Sequence, residues 1–422
     1  MKVCVYGLWH LGLVTIAGLL QTTDHSIIGL DAFDMSDLNK GTIPFHEPNV
    51  GVTLSKGLEY KRLSFTTNHR DALENSDILW VTFDTPINSC DIPDSNYIET
   101  RIVNILPYIK NNTKIIISSQ VKVGFTNTLR EIVTLQYPDK KIYIAYSPEN
   151  LQLGNALERF IYPDRIIIGT RTDEKSQFEP FFSSLSKNLI WMTIPSAEMT
   201  KHAINAYLAA SICFANEIAQ LCDDVGALSG EVELGMKTDI RIGSKAYVRS
   251  GNAYSGGTLA RDVQSLNTIA CESDISTPLL SSISDSNYDH TNWIHSIIRN
   301  GMNNKMYGKN VIIIGLTYKD GTSTLRQSGA IKLCEWLYKQ GIIIYAYDPL
   351  VTSECPNYIN MICDPSHIPA NPHCVIILKN PYQIFDKSLL DKITENSMVI
   401  DPDGYLQPKK NGRKYFSVRR LI

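Results

Sequence analysis

Short apolar runs recur along the first part of the chain, separated by stretches of helical period. Residues 3–6, 26–30, 78–82, 115–118, 142–145 and 165–169 are rich in β-branched side chains and bounded by turn residues. That is the pattern of strands buried on both faces of a parallel sheet. Their alternation with helical segments predicts a doubly wound α/β domain ending near residue 192. Residues 197–224 then run without glycine or proline, with Ala203, Ala206, Leu208, Ala210, Ile212, Phe214 and Ile218 on several sides. A helix apolar around so much of its girth is buried or bridges domains. It is read here as a central helix shared between two domains and lying at a subunit interface, with more helices to about Arg299. Strand patterns restart at 311–314, which runs into Gly315, and continue at 342–347, 375–378 and 397–401. The expected fold is therefore α/β, with two Rossmann-like, doubly wound parallel-sheet domains joined by a long central helix.

Composition narrows the partners. The chain has 422 residues, 43% of them hydrophobic, and a formal net charge of -3. No block of like charge stands out, so neither nucleic acid nor an anionic membrane is expected as a partner. The basic tail, Lys409-Lys410 to Arg419-Arg420, reads as a solvated end. Nine cysteines are dispersed without a C-x-x-C pair, as in a reducing compartment. The apolar amino-terminal run is broken by Gly7, His10 and Gly12, and no segment has eighteen uninterrupted apolar residues. A soluble, cytoplasmic protein is the expectation.

Candidate chemistry begins at Gly7-Leu8-Trp9-His10-Leu11-Gly12, which follows a strand and opens a helix. Amides at such a helix start suit an anionic pyrophosphate. Asp31 closes the next strand, where a carboxylate can accept both ribose hydroxyls and favours NAD over NADP. Against this stands Trp9, because the middle glycine of such a turn lets the pyrophosphate approach the backbone. A bulky residue there must point away or displace the phosphates, and a plain packing turn is the alternative. Thr85 and Glu149 each follow a strand at the sheet edge where ligands bind. His10, His46 and His202 show no metal-ligand grouping, so no metal is expected.

Longer segments make the assignment specific. Ser147-Pro148-Glu149-Asn150-Leu151-Gln152-Leu153-Gly154-Asn155-Ala156 resembles the S-P-E-F-L-R-E-G-x-A segment of the UDP-glucose/GDP-mannose dehydrogenase family. The helix segment from Ala197-Glu198 through Lys201 to Asn205-Ala206 resembles its A-E-x-x-K-x-x-x-N-A. Asp239-Ile240-Arg241-Ile242-Gly243 is similar to D-x-R-I-G. Gly315 to Lys319, Leu325-Arg326-Gln327-Ser328 and Tyr347-Asp348-Pro349 are similar to G-L-x-F-K, x-R-x-S and Y-D-P. The resemblance spans nearly the whole chain in order. It implies NAD, a nucleotide-sugar substrate and a homodimer built on the long helix. The domains would be 1–192 for NAD, 193–300 for dimerisation and 301–422 for the nucleotide sugar. It also implies cofactor contacts at Gly7, Trp9, His10, Leu11, Gly12, Asp31, Thr85, Gln120, Glu149 and Arg326. Substrate contacts would be Leu151, Lys201, Asn205, Arg241, Tyr254, Gly257 and Lys319. Lys201, Asn205, Asp262 and Glu149 would be catalytic, with Thr258 in the family's nucleophile slot.

That slot is where the chain departs. The family oxidises a sugar C6 alcohol to a carboxylate in two hydride transfers, capturing the aldehyde on a cysteine. Tyr254-Ser255-Gly256-Gly257-Thr258-Leu259-Ala260-Arg261-Asp262 is similar to F-G-G-S-C-F-P-K-D, so Thr258 replaces that cysteine. A thiol near pKa ~8.5 is partly thiolate at neutral pH and its sulfur is intrinsically nucleophilic, whereas a hydroxyl ionises far less readily. Gln120 stands where the family has a water-positioning threonine, and Leu153 where a glutamate is usual. Plainer readings stand beside the functional ones. Lys201 can be a snorkelling lysine, Asp262 a helix cap, and Arg241 half of a surface ion pair. Three functions follow: an oxidoreductase altered after the first oxidation or made redox-neutral, an ordinary four-electron dehydrogenase, or a non-catalytic binder of NAD or nucleotide sugar.

Overall fold

The computed structural model describes every residue except 46, 87–92, 150, 152–153, 256, 318–324, 326–327, 352–354, 370, 382–384, 386, 407–414 and 420–422. Two compact units divide the chain, Met1–Ala203 and Ile204–Ile422.

The first unit alternates strand and helix. It runs β1 (Lys2–Tyr6), α1 (His10–Thr22), β2 (Ser26–Leu30), α2 (Val50–Glu59), β3 (Leu63–Thr66), α3 (His69–Leu73), β4 (Ile78–Val81) and α4 (Ser95–Ile105). It continues through β5 (Lys114–Ile117), α5 (Phe125–Gln136), β6 (Tyr143–Tyr146), α6 (Ala156–Ile161), β7 (Ile166–Gly169), α7 (Lys175–Phe182) and β8 (Leu189–Met192). The strands form one sheet in the order β3-β2-β1-β4-β5-β6-β7-β8. The order reverses between β1 and β4, which opens a crevice at their carboxyl ends. All six expected strands are present. The expectation of a wholly parallel sheet needs one correction, because β7 pairs antiparallel with β6 through Tyr146 and Gly169. Strand β8 follows β7 in parallel, so two edge strands run against the rest, as mixed sheets allow. Strands β1, β4 and β5 are buried almost throughout, with separate apolar clusters on the two faces.

Helix α8 (Ile194–Val225) has 32 residues, and the boundary between the units falls inside it. The second unit continues with α9 (Ser229–Thr238), α10 (Gly257–Glu272) and α11 (Pro278–Gly301). It then builds β9 (Asn310–Ile314), α12 (Gly329–Lys339), β10 (Ile343–Tyr347), β11 (Ile359–Met361), β12 (Cys374–Ile377), α13 (Lys387–Thr394), β13 (Met398–Ile400) and β14 (Tyr415–Phe416). Its sheet order, β11-β10-β9-β12-β13-β14, repeats that of the first six strands, with the reversal now between β9 and β12. Among the described residues, no helix is long and apolar enough to cross a membrane.

Candidate active site

The turn after β1 is shaped by two glycines. Gly7 has φ +105°, and a Cβ there would lie 2.7 Å from the Phe83 amide nitrogen. A Cβ on Gly12 would lie 1.9 Å from the Gly7 oxygen. Only glycine admits this approach of turn, helix and neighbouring strand. Leu8 N–H donates to Asp31 Oδ2 (2.7 Å) and Ala32 N–H to Asp31 Oδ1 (2.7 Å), so Asp31 braces the turn. Trp9 is the N-cap of α1 and supplies no side-chain hydrogen bond, which leaves the first-turn amides of α1 without a side-chain cap. Trp9 is 49% exposed, with its indole turned edge-on to Phe45, ring centroids 5.8 Å apart. The ring is thus held outside the core of the turn. Glycine contacts, an uncapped helix start and a carboxylate ending β2 fit a dinucleotide, with Asp31 toward the ribose and the amides from His10 to Gly12 toward the pyrophosphate.

Farther along the same sheet edge, the start of α8 holds two loops. Lys201 Nζ donates to the main-chain oxygen (2.8 Å) and Oε1 (3.1 Å) of Glu149, while Glu149 Oε2 accepts from Leu151 N–H. Lys201 is buried, which sets aside the snorkelling alternative. Glu198, fully buried, accepts from Gly124 N–H (2.6 Å) and Thr126 N–H (3.0 Å), capping α5. Burial raises its carboxyl above the ordinary range. His202 Nε2 bonds Val121 O at 3.1 Å. Gln120 lies in that loop, buried, and its main-chain oxygen accepts from Thr85 Oγ1.

In the second unit, Asn205 Nδ2 donates to Asp262 Oδ2, and Asp262 is fully buried. Asp262 does not cap a helix, contrary to the plainer expectation. Helix α10 begins five residues earlier at Gly257, because the loop ahead of it is already fastened. Thr258, partly buried, stands in the first turn of α10, one turn before Asp262 and on the same face. Gly251 N–H donates to Asn216 Oδ1 (2.9 Å) and Gly251 O accepts from His290 Nε2 (2.7 Å). Tyr254 exchanges two main-chain bonds with the Asn287 amide, and Asn252 donates twice to Asp403. Arg241 is exposed and paired with Asp239 (2.6 Å) on a surface turn. At the second reversal point Gly315 has φ +93°, and Leu316 and Thr317 N–H both donate to Asp348 Oδ2. Lys319 and Arg326 lie outside the described residues, as does His46. Among the described residues, no group of three or more His, Cys, Asp or Glu is placed to hold a metal ion.

The first unit thus brings together Gly7, Trp9, His10, Leu11, Gly12 and Asp31 at one turn, and Glu149, Leu151 and Lys201 at another place on the sheet edge. The second gathers Asn205, Tyr254, Thr258 and Asp262 around α10. Sequence reasoning missed Glu47, Glu198, His202, Asn216, Asn287, His290 and Asp403. A signal existed for two of them. Glu198, Lys201, His202 and Asn205 recur at helical spacing along a helix otherwise read as apolar, and polar groups on a buried face require partners.

Comparison with known proteins gives the same assignment. Residues 1–186 match the NAD binding domain, 195–289 the central domain and 312–408 the UDP binding domain of the UDP-glucose/GDP-mannose dehydrogenase family. The UDP-glucose 6-dehydrogenase of Rickettsia bellii is 30% identical over 356 residues, 83% of this chain and 81% of that protein. That of Bacillus subtilis is 30% identical over 363 residues, 85% and 82% of the two chains. The UDP-glucose dehydrogenase structure from Pyrobaculum islandicum shares the fold, with a TM-score of 0.89 at 23% identity over 100% of this chain and 98% of that one. The chain therefore belongs to the UDP-glucose/GDP-mannose dehydrogenase family of NAD-dependent nucleotide-sugar dehydrogenases.

Proposed function

We propose that this protein oxidises a CH–OH group of a UDP-sugar and departs from complete four-electron oxidation. It would either stop after one oxidation or return the hydride to give an epimer with NAD retained. The observation that carries this reading is the absence of sulfur at Thr258. Cys213 and Cys222 are buried along α8. Cys271 is thirteen residues farther along α10, about 20 Å away at 1.5 Å per residue. Bound NAD supplies the hydride acceptor. Lys201, oriented by Glu149, stabilises negative charge on the sugar oxygen as its proton leaves, or holds that proton at Nζ. Asn205 and Asp262, hydrogen-bonded to each other, orient the sugar hydroxyl or a water. Gln120, in place of a threonine hydroxyl, gives an amide in the loop where hydrolysis would need a positioned water. The protein would be a cytoplasmic homodimer, with domains at 1–192, 193–300 and 301–422.

The names of the relatives favour a second reading, complete oxidation of UDP-glucose to a uronate. Counting NADH per sugar separates the two. One equivalent, or tightly held cofactor with an epimerised product, is expected; two equivalents with uronate would overturn the proposal. A paired substitution tests the residues themselves. Thr258→Cys alone should not add the second oxidation, whereas Thr258→Cys with Gln120→Thr should, because capture and hydrolysis are separate steps. Rapid uronate formation by the single variant would remove Gln120 from the account.

A further inference from the structure

Glu47 is almost completely buried between two segments that carry different parts of the chemistry. Its Oε2 accepts from His10 Nε2 at 2.9 Å and from Gly154 N–H at 2.9 Å, and its Oε1 accepts from Ala156 N–H at 2.8 Å. Its side chain is 1% exposed, that of His10 15%. His10 is the first residue of α1, at the amides assigned to the pyrophosphate. Gly154 and Ala156 close the loop that begins with Glu149, the partner of Lys201. A carboxylate only accepts, so His10 donates from Nε2. The segment around Glu47 is further pinned by Phe45, whose ring lies 5.0 Å from that of His10 and 5.8 Å from that of Trp9. Phe45 and Leu151 pack on the same apolar cluster.

We propose that His10 and Glu47 are positioning residues that couple dinucleotide binding at α1 to the order of Gly154 and Ala156 at the start of α6. The proposal rests on NAD binding at the α1 turn. A pyrophosphate bound there fixes the first turn of α1 and with it the His10 ring. Glu47, held by that ring, then presents both oxygens to the Gly154 and Ala156 amides. The start of α6 is thereby held in one arrangement. The bonds are charge-assisted and lie out of water, where they are stronger than neutral ones. Linkage requires the converse: a ligand that orders Gly154 and Ala156 tightens NAD by the same factor.

The test is hydrogen exchange at the Gly154 and Ala156 amides of the full-length protein, with and without NAD, alongside calorimetric NAD binding. NAD should slow exchange of both amides at least tenfold in the wild-type chain. His10→Phe keeps a ring against Phe45 and removes the bond to Glu47. Read at saturating NAD, it should lose the slowing to less than twofold. Glu47→Gln should speed exchange of the two amides before NAD is added. NAD-induced slowing that survives intact in His10→Phe would overturn the proposal, as would NAD binding to wild type with no slowing. An absence of NAD heat in the wild-type chain would overturn the cofactor site as well, so the two failures are distinguishable.

Discussion

Asp31 shows how one carboxylate can serve fold and ligand together. Each of its oxygens already accepts a main-chain amide, from Leu8 and from Ala32, and each retains lone-pair capacity for a ribose hydroxyl. Asp31→Ala removes the proposed hydroxyl acceptor and also loosens the glycine turn. A hydrogen bond to a charged group contributes about 1.5–3 kcal/mol, so the NAD dissociation constant should rise by roughly ten- to a hundredfold. Calorimetry measures this directly, and an unchanged affinity would remove Asp31 from the ribose. Trp9 is the complementary case. Sequence alone set the condition that its ring must leave the turn, but not where it would go. The answer depends on Phe45, thirty-six residues later, and tertiary packing of that kind is not encoded in any local pattern.

At the level of elements, α8 does more than its apolar pattern indicated. Its length was legible in the sequence to within a few residues, but its first turns also fasten the loops after β5 and β6 through Glu198, Lys201 and His202. Glu198→Ala would leave the Gly124 and Thr126 amides unpaired at the start of α5. Unsatisfied buried donors cost about 1–3 kcal/mol each, so a loss of about 2–6 kcal/mol in urea unfolding is expected. The pH dependence distinguishes the carboxyl itself. Burial raises it from its ordinary value near 4.5, so above that pH the native state binds more protons at this group than the unfolded chain. Stability from this group is complete below about 4.5 and is lost as pH rises through the higher folded value. The deficit of Glu198→Gln, which cannot ionise, should therefore be larger at pH ~5 than at pH ~7. Equal deficits would show that the carboxyl titrates normally. The strands that escaped sequence reading were β3, β8, β11 and β14. Strand β3 alternates Leu63, Ser64, Phe65 and Thr66 with only two buried residues, and β8 is partly exposed at the sheet edge. A search for continuous apolar runs finds central parallel strands and passes over edges.

Across the whole molecule, one construction is used twice. In each unit a central strand ends in a positive-φ glycine, Gly7 or Gly315, and the next strand ends in an aspartate that accepts the turn's amides, Asp31 or Asp348. The first turn enters α1 within three residues, which is the compact turn-to-helix geometry of a dinucleotide cradle, whereas thirteen residues lie between Gly315 and α12. This repetition was legible, because glycine, strand and aspartate recur in order. The proposed association of copies rests on a different regularity. Tyr207, Phe214, Leu221 and Val225 are 70%, 49%, 63% and 76% exposed on α8, and the first three recur every seven residues. A heptad of exposed apolar side chains on one long helix is a seam for another helix, and a second copy of α8 offers the same surface under two-fold symmetry. Sedimentation velocity should give twice the 47.4 kDa chain mass. Phe214→Glu would place a charge in that seam and should shift the protein to monomer while leaving NAD affinity within about twofold, since a desolvated, unpaired carboxylate is strongly unfavourable. A variant that remained dimeric would place the interface elsewhere.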